Sequence, residues 1–188
     1  MQTKPSKRFS EQAKKVFEGI RFDVYQWEQE LFDGEKATFE IVKRLDSVVI
    51  FGVDNNEIIV VKEKQPHWDK EHMVVVAGGM NKGEEPEAAA RREFEEETGL
   101  VMKDFELVSV TQETPGVEWF IYVYIARNIV ATKEKQLDGG EQNEIVRISF
   151  EEMVRMFRNR EFLYNSSFIE TYLLQNKEEV LKNIFKLQ

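Results

Sequence analysis

The sequence predicts an α+β protein in which helices flank a mixed β-sheet. Short apolar segments with strand-like alternation lie on both sides of a sharply delimited helix, and the last third of the chain has helical periodicity. The length of 188 residues suits one domain with a real hydrophobic core. We therefore predict an N-terminal helix and strand-pair extension over residues 1–44 and a main domain over residues 45–188.

The segments before the central helix are predicted to be one helix followed by strands. Ser10 is a suitable N-cap and Gly19 a suitable terminator, so a helix is expected over residues 10–19. Strands are expected over residues 21–30, 37–42, 47–53, 58–61 and 73–76. Asp33-Gly34 indicates a hairpin between the first two strands, and Gly78 with Gly79 indicates a tight turn after the last.

The segments after the central helix are predicted to be strands and then helices. Strands are expected over residues 105–112, 119–126 and 144–150, with a turn around residues 113–116 joining the first two. Apolar residues at helical spacing predict helices over residues 150–158 and 166–185.

Composition excludes several classes of function. The net charge of −9 argues against general affinity for nucleic acid, because such binding depends on Lys and Arg neutralising phosphates. The sequence has no apolar run of the kind that forms a membrane span or a signal peptide, and a cytoplasmic location is expected. The absence of cysteine excludes disulfides, thiolate catalysis and cysteine-based metal sites, so any metal is expected to have oxygen ligands.

The most sharply delimited element is the central helix, predicted from Pro86 to Thr98. Pro at a first helical position and Gly99 just past the last are favoured helix ends. Glu93, Glu96 and Glu97 lie within an arc of about 100° on its surface. They repel one another near the end of the helix where the dipole favours cations. A solvated surface helix is the structural explanation, and convergence on a hard divalent cation such as Mg²⁺ is the functional one.

The helix and the segment before it carry a family signature. The fixed positions are Gly78, Glu84, Arg92-Glu93-Phe94, Glu96-Glu97 and Gly99-Leu100. At this spacing they resemble the box of the Nudix hydrolases, which implies an α-β-α sandwich and hydrolysis of a nucleoside diphosphate linked to another moiety. The resemblance also implies Mg²⁺ or Mn²⁺ held by Glu93, Glu96, Glu97 and the backbone carbonyl of Ala77. Glu84, Arg92 and Gly99 are expected to have structural roles.

The flanking segments are most similar to ADP-ribose pyrophosphatases and related nucleoside diphosphate sugar hydrolases. The similar segments are Val75-Val76-Ala77-Gly78, Lys62-Glu63-Lys64-Gln65 and Thr114-Pro115-Gly116. This resemblance implies that ADP-ribose is cut to AMP and ribose 5-phosphate, in a homodimer whose N-terminal strands help to form the partner's site. Other nucleotide sugars, dinucleoside polyphosphates and nucleoside triphosphates are alternative substrates, and a non-catalytic nucleotide sensor of the same fold is the alternative from another class.

The candidate catalytic residues are Glu97 and two acids of the loop over residues 137–144. In-line attack of water on phosphorus needs charge neutralisation and a carboxylate that takes or orients the water proton. Glu141 and Glu144 are equal candidates for this base, because the subgroup keeps an acidic residue on a loop that swings over the substrate. Asp138-Gly139-Gly140 would give such a loop its flexibility.

The candidate substrate-binding residues are Trp27, Lys62, Lys64, Gly78 and Gly79. Trp27 would stack on a nucleobase, although an aromatic residue in a strand also suits core or dimer packing. The two lysines would hold a phosphate near the edge of the sheet, and solvation is their structural alternative. His67 and His72 have no partner at metal-binding spacing and are expected to be structural.

Overall fold

A computed structural model of the protein describes residues 10–112, 116–137 and 139–187. Within these ranges the chain forms two β-sheets and four helices, and the predicted α+β class is confirmed. Residues 113–115 of the predicted turn and Asp138 of the predicted flexible loop lie outside the described residues. Among the described helices, none is long and apolar enough to cross a membrane.

The larger sheet has seven strands and is mixed. Its main strands are β4 (Ser47–Asp54), β5 (Glu57–Lys64), β8 (Leu100–Thr111), β10 (Ile121–Thr132) and β11 (Gln142–Ile148). They are ordered β11-β5-β4-β10-β8, and the pairing of β10 with β4 is parallel while the neighbouring pairings are antiparallel. Two short strands extend it: β6 (His72–Val74) pairs with β5, and β7 (Val76–Gly79) pairs with β4.

Helices cover both faces of this sheet. They are α1 (Pro86–Thr98), α2 (Phe150–Arg158), α3 (Ser167–Leu174) and α4 (Glu178–Phe185). Alternation along β4 serves both layers, because Ile50 packs in the cluster that contains Phe94 of α1, whereas Phe51 packs in the cluster that contains Phe185 of α4. The sheet is therefore the middle layer of an α-β-α sandwich, as expected.

The smaller sheet is formed mainly by the N-terminal part of the chain. Its strands are β1 (Lys14–Glu18), β2 (Asp23–Glu30), β3 (Lys36–Lys43) and β9 (Val117–Glu118), in the order β1-β2-β3-β9. The helix predicted over residues 10–19 is wrong. Ser10 begins only a turn, in which it accepts from the amides of Gln12 (3.1 Å) and Ala13 (3.0 Å). Antiparallel pairing with β2 then overrides the weak local helix signal.

Two other local predictions are also corrected by the structure. Gly78 and Gly79 belong to β7, opposite Val48 and Ser47 of β4, and do not form a tight turn. The single helix predicted over residues 166–185 is divided into α3 and α4, since Asn176 between them has φ 51°, in the left-handed region. The apolar periodicity continues across this break, which is why the sequence pattern did not reveal it.

Candidate active site

Helix α1 is held firmly against the large sheet. Pro86 starts the helix, and Gly99 ends it at φ 68° with its amide bonded to the Glu95 carbonyl at 2.7 Å. On the buried side Phe94 lies directly over Gly52 of β4, where a Cβ would be 2.4 Å from the ring. This close packing fixes the position of α1 on the sheet, with Glu93 and Glu97 beside β7.

The first part of the site is an arginine that ties α1 to the loop before it. Arg92 donates to both carboxylate oxygens of Glu84, each at 2.9 Å, and to the carbonyl of Gly79 at 3.0 Å. Glu84 also accepts from the amide of Asn81 at 2.7 Å. The hydrogen bonds from Arg92 lower the pKa of Glu84, so this carboxylate is charged and well paired.

The same arginine also orients two of the predicted metal ligands. One nitrogen of Arg92 lies 2.7 Å from Glu93 and 3.1 Å from Glu96. Glu93 is packed against Gly78, where a Cβ would lie 2.0 Å from the carboxyl carbon of the glutamate. Gly78 therefore leaves space for this carboxylate and does not form a turn, and burial of Glu93 raises its pKa.

Glu97 is surrounded by other carboxylates. Burial raises the pKa of Glu97 to about 9, and Glu63, Glu93 and Glu141 add to this effect. Its charged form is favoured by a hydrogen bond from the amide of Ala77. Because the amide and carbonyl of one strand residue point to the same edge, the Ala77 carbonyl lies on the side of Glu97.

These oxygen atoms fit a hard divalent cation by their chemistry. Among the described residues, no three Asp, Glu or His side chains already form a metal-binding group, and Arg92 instead bridges Glu93 and Glu96. The donors nevertheless include the carboxylates that Mg²⁺ and Mn²⁺ prefer, and the repulsion around Glu97 is of the kind that a bound cation relieves.

The two candidate bases are placed differently. The side-chain amide nitrogen of Gln65 donates to the carboxylates of both Glu63 and Glu141. These hydrogen bonds bring Glu141 to the acidic end of α1. On β11, Asn143 points towards α1 and donates to the Glu97 carbonyl at 3.0 Å. Glu144 follows it and therefore points to the opposite face of the sheet, where it pairs in register with Lys62.

The candidate substrate-binding side chains have contacts of their own. Lys62 pairs with Glu71 at 2.5 Å, and Lys64 donates to the carbonyl of Asp69 at 3.1 Å. Trp27 lies on β2 of the small sheet, with its ring 5.9 Å from that of Phe39. His67 and His72 pack edge-on against Trp68, with ring separations of 5.8 and 5.3 Å.

Three residues of this region were missed by the sequence analysis. Glu63 and Gln65 continue the side of β5 that faces α1, since Ile59 and Val61 before them pack in the α1 cluster. Extending that alternation to the end of β5 would have identified them. Arg44 is half-buried between Phe22 and Trp119, with its guanidinium 5.6 and 4.2 Å from the two ring centres, and no local pattern indicated this.

The structure brings a strand, a loop and an acidic helix together around Glu93 and Glu97. The NUDIX domain profile matches residues 43–168, and the chain belongs to the Nudix family.

Two curated relatives and one solved structure are similar along most of their length. The chain is 31% identical over 166 residues to the ADP-ribose pyrophosphatase of Bacillus subtilis (strain 168), covering 87% of this chain and 90% of the relative. It is 27% identical over 170 residues to the methanol dehydrogenase activator of Bacillus methanolicus, covering 88% and 91%. A crystal structure of an ADP compounds hydrolase superposes with a TM-score of 0.69 at 20% identity, covering 92% of this chain and 98% of that one, and supports the fold. The expected Nudix pyrophosphohydrolase, similar to ADP-ribose pyrophosphatases, is thereby confirmed.

Proposed function

We propose that the protein hydrolyses the pyrophosphate bond of ADP-ribose to AMP and ribose 5-phosphate, with Mg²⁺ or Mn²⁺ as cofactor. The observation that carries this proposal is the buried Glu97 carboxylate, enclosed by other carboxylates beside the Ala77 amide. The choice of ADP-ribose is supported by the relative that carries this substrate in its name, which aligns over most of both chains.

The metal would be held by Glu93, Glu96, Glu97 and the carbonyl of Ala77. When bound, the cation would neutralise the non-bridging oxygens of the substrate. The protein's own contribution is to orient these ligands: Arg92 holds Glu93 and Glu96 on one side of α1, and Gly78 leaves room for the Glu93 carboxylate.

Glu141 is the proposed base, since Gln65 holds its carboxylate near Glu97. Water would attack one phosphorus atom while a carboxylate oxygen of Glu141 takes a proton from it. The new phosphorus–oxygen bond forms as the bond to the bridging oxygen breaks, and the leaving phosphate keeps that electron pair. Glu144, on the opposite face of the sheet, is the weaker candidate.

Substrate recognition is proposed to involve the small sheet and the strand that enters the large one. Arg44 lies three residues before β4, whose first residue, Ser47, pairs with Gly79. Its described contacts are aromatic rings and the Ser47 hydroxyl at 3.5 Å, so its positive charge is available to an anion. Trp27 is proposed to stack on the adenine ring, and the Gly78 and Gly79 backbone to contact phosphate. Lys62 and Lys64 alternate to the same face of the sheet as Glu144 and already contact Glu71 and the Asp69 carbonyl, so they are the weaker candidates for phosphate binding.

A homodimer formed through the N-terminal extension of residues 1–44 is part of this proposal. Several large apolar side chains of the extension are exposed: Val16, Phe17, Ile20, Phe22 and Phe39. Phe17 and Phe39 expose 58% and 42% of their surface although they lie on β1 and β3. Exposed apolar groups on one sheet favour burial against a partner, and a second copy of the chain is the proposed partner.

A screen of substrates tests the function. We expect phosphatase-coupled phosphate release with ADP-ribose in the presence of Mg²⁺ or Mn²⁺, and none after treatment with EDTA. Preferential cleavage of another nucleotide sugar, a dinucleoside polyphosphate or a nucleoside triphosphate would replace ADP-ribose as the substrate. If none of these compounds is cut, a non-catalytic nucleotide sensor becomes the better description. Stimulation of an alcohol dehydrogenase belongs in the same screen, because one relative is a methanol dehydrogenase activator.

A further inference from the structure

A glutamine lies where the loop before β11 meets the acidic end of α1. The carboxamide nitrogen of Gln65 donates to Glu63, on the same face of the chain two residues earlier, and to Glu141. The charges of Glu63 and Glu141 both raise the pKa of Glu97. The hydrogen bonds from Gln65 to these two carboxylates therefore lie beside Glu97, the most buried carboxylate of the site.

A second contact brings the same two segments together. Gly140 has φ 93° and packs on Pro66, where a Cβ would lie 2.9 Å from the ring. Elsewhere in this loop, the amide of Gln136 donates to the Glu96 carbonyl at 2.9 Å, and Asn143 donates to the Glu97 carbonyl at 3.0 Å. Described residues before and after Glu141 therefore contact the end of α1 and the segment after β5. The hydrogen bond from Gln65 acts on the Glu141 carboxylate itself.

The chemistry of a primary amide suits this position. It offers two N–H donors and carries no charge. Gln65 can therefore hold two carboxylates near each other without neutralising either of them. A lysine or arginine here would make stronger hydrogen bonds, but its charge would weaken the attraction of the acidic site for a divalent cation.

We propose that Gln65 is a positioning residue that holds the carboxylate of Glu141 against Glu63, ready to act on the attacking water. This inference rests on the proposed function, because it assigns Glu141 as the base. It predicts that the loss of the two amide donors lowers the rate of the chemical step and leaves substrate binding nearly unchanged.

The kinetic test compares Gln65→Leu with the wild-type enzyme. Leucine has a similar size and no donors, and kcat for ADP-ribose should fall about 10- to 100-fold, as when a supporting hydrogen bond to a site residue is lost. KM should change by less than about threefold, since the effect is on the chemical step. Gln65→Met, which keeps the length and the neutral charge but has no donors, should show the same loss. A kcat within about twofold of wild type, or a loss carried by KM, overturns the proposal.

A matched control is available on the other side of the sheet. Asn159, which follows α2, donates its side-chain amide to Glu161 at 3.1 Å. Asn159→Leu removes the same kind of hydrogen bond away from α1, and its kcat should equal that of the wild type. An equal loss in both variants would show a general effect on folding and would overturn the proposal.

A double-mutant cycle separates positioning from a structural role. If Gln65 acts through Glu141, Gln65→Leu should change kcat by less than about twofold in a Glu141→Gln background. If the double variant instead loses kcat by the product of the two single-variant losses, Gln65 acts independently of Glu141 and the proposal is overturned.

Amide hydrogen exchange tests the hydrogen bond between Gln65 and Glu141 without relying on catalytic activity. The amides of residues 139–143 should exchange faster in Gln65→Leu than in the wild type, and at the wild-type rate in Asn159→Leu. Unchanged exchange in Gln65→Leu overturns the proposal. A wild-type protein that cuts none of the substrates would refute the proposed function, while the exchange measurement would still decide whether Gln65 holds this loop.

Discussion

Helix α1 has glutamates near both of its ends, and their surroundings differ. Just before the helix, Glu84 accepts two hydrogen bonds from Arg92 and one from a backbone amide, and its pKa is lowered. In the last turn, Glu97 is buried near Glu63, Glu93 and Glu141, and its pKa is raised to about 9. The difference teaches that pairing within the chain favours the charged form of a carboxylate, whereas burial among like charges disfavours it.

The largest expected effect comes from removing the charge at the acidic end. Glu97→Gln should lower kcat about 100-fold or more, the scale expected when a charge-stabilising group is lost. In EDTA the variant should unfold at no lower temperature than the wild type, because a repelling carboxylate is removed. Steady-state kinetics and calorimetry measure the two effects.

Glu95→Gln is the matched control for this prediction. Glu95 lies in the same turn, but its carboxylate pairs with Lys133 at 2.6 Å at the protein surface. The control should keep kcat within about twofold of wild type. Comparable losses in the two variants would mean that charge anywhere on this turn matters and would remove the contrast between its glutamates.

The next largest effect is a loss of folding stability when Glu84, just before α1, is replaced. Glu84→Gln weakens two charged hydrogen bonds to a partly buried arginine, and we expect about 2 kcal/mol less unfolding free energy in urea titrations. Glu87→Gln is the control, because Glu87 makes only an exposed pair with Arg91 and should cost less than about 1 kcal/mol. Equal losses of unfolding free energy in the two variants would show that the Glu84–Arg92 pair contributes no more to stability than an exposed ion pair.

A smaller effect is expected from filling the space beside the acidic end. In Gly78→Ala the new methyl group would meet the Glu93 carboxylate, so the side chain must move. The Mg²⁺ concentration for half-maximal activity should rise about tenfold, as expected when a supporting contact of a metal ligand is disturbed. Gly79→Ala has open space at its Cβ and should fold with unchanged stability. An unchanged metal requirement in Gly78→Ala would argue against Glu93 as a ligand.

The last comparison is a pair of pH dependences with opposite signs. The folded pKa of Glu84 lies below its ordinary value of 4.5, so its stabilisation is present above that pH and is lost as the pH falls through the folded pKa. The folded pKa of Glu97 is raised from 4.5 to about 9, so its contribution is present below pH 4.5 and is lost as the pH rises towards 9.

Urea titrations in EDTA across this pH range measure both dependences. The stability difference between the wild type and Glu84→Gln should shrink in acid, and the relative stability of Glu97→Gln should increase between pH 4.5 and 9. The same sign for both variants would contradict the distinction between the two ends.

Local signals predicted α1 well and the N-terminal segment poorly. Pro86 and Gly99 act on the residues next to them, and the helix has the predicted bounds. The apparent signals at Ser10 and Gly19 were overruled by pairing of β1 with β2, which no local pattern contains. Gly78 was predicted to form a tight turn, whereas in the structure it lies in a strand and faces the Glu93 side chain, fifteen positions later.

The part of the candidate site that lies on one helix could be proposed from local sequence. Helical spacing placed Glu93, Glu96 and Glu97 on one face, and the resemblance to the Nudix box gave them their proposed role as metal ligands. Glu63 and Gln65 reach the same region through sheet register, and Arg44 through stacking on Trp119, a ring distant in sequence. Glu141 and Glu144 could not be distinguished until the strand that follows fixed which face each residue occupies.

The C-terminal end of α1 accepts hydrogen bonds from the segment over residues 133–137 and from the start of β11. Lys133, Gln136 and Asn143 donate to the carbonyls of Gly99, Glu96 and Glu97 respectively. Two of these acceptor residues are the ones whose side chains are proposed to hold the cation. A displacement of that end of α1 would therefore also displace Asn143, which lies two residues after the proposed base Glu141.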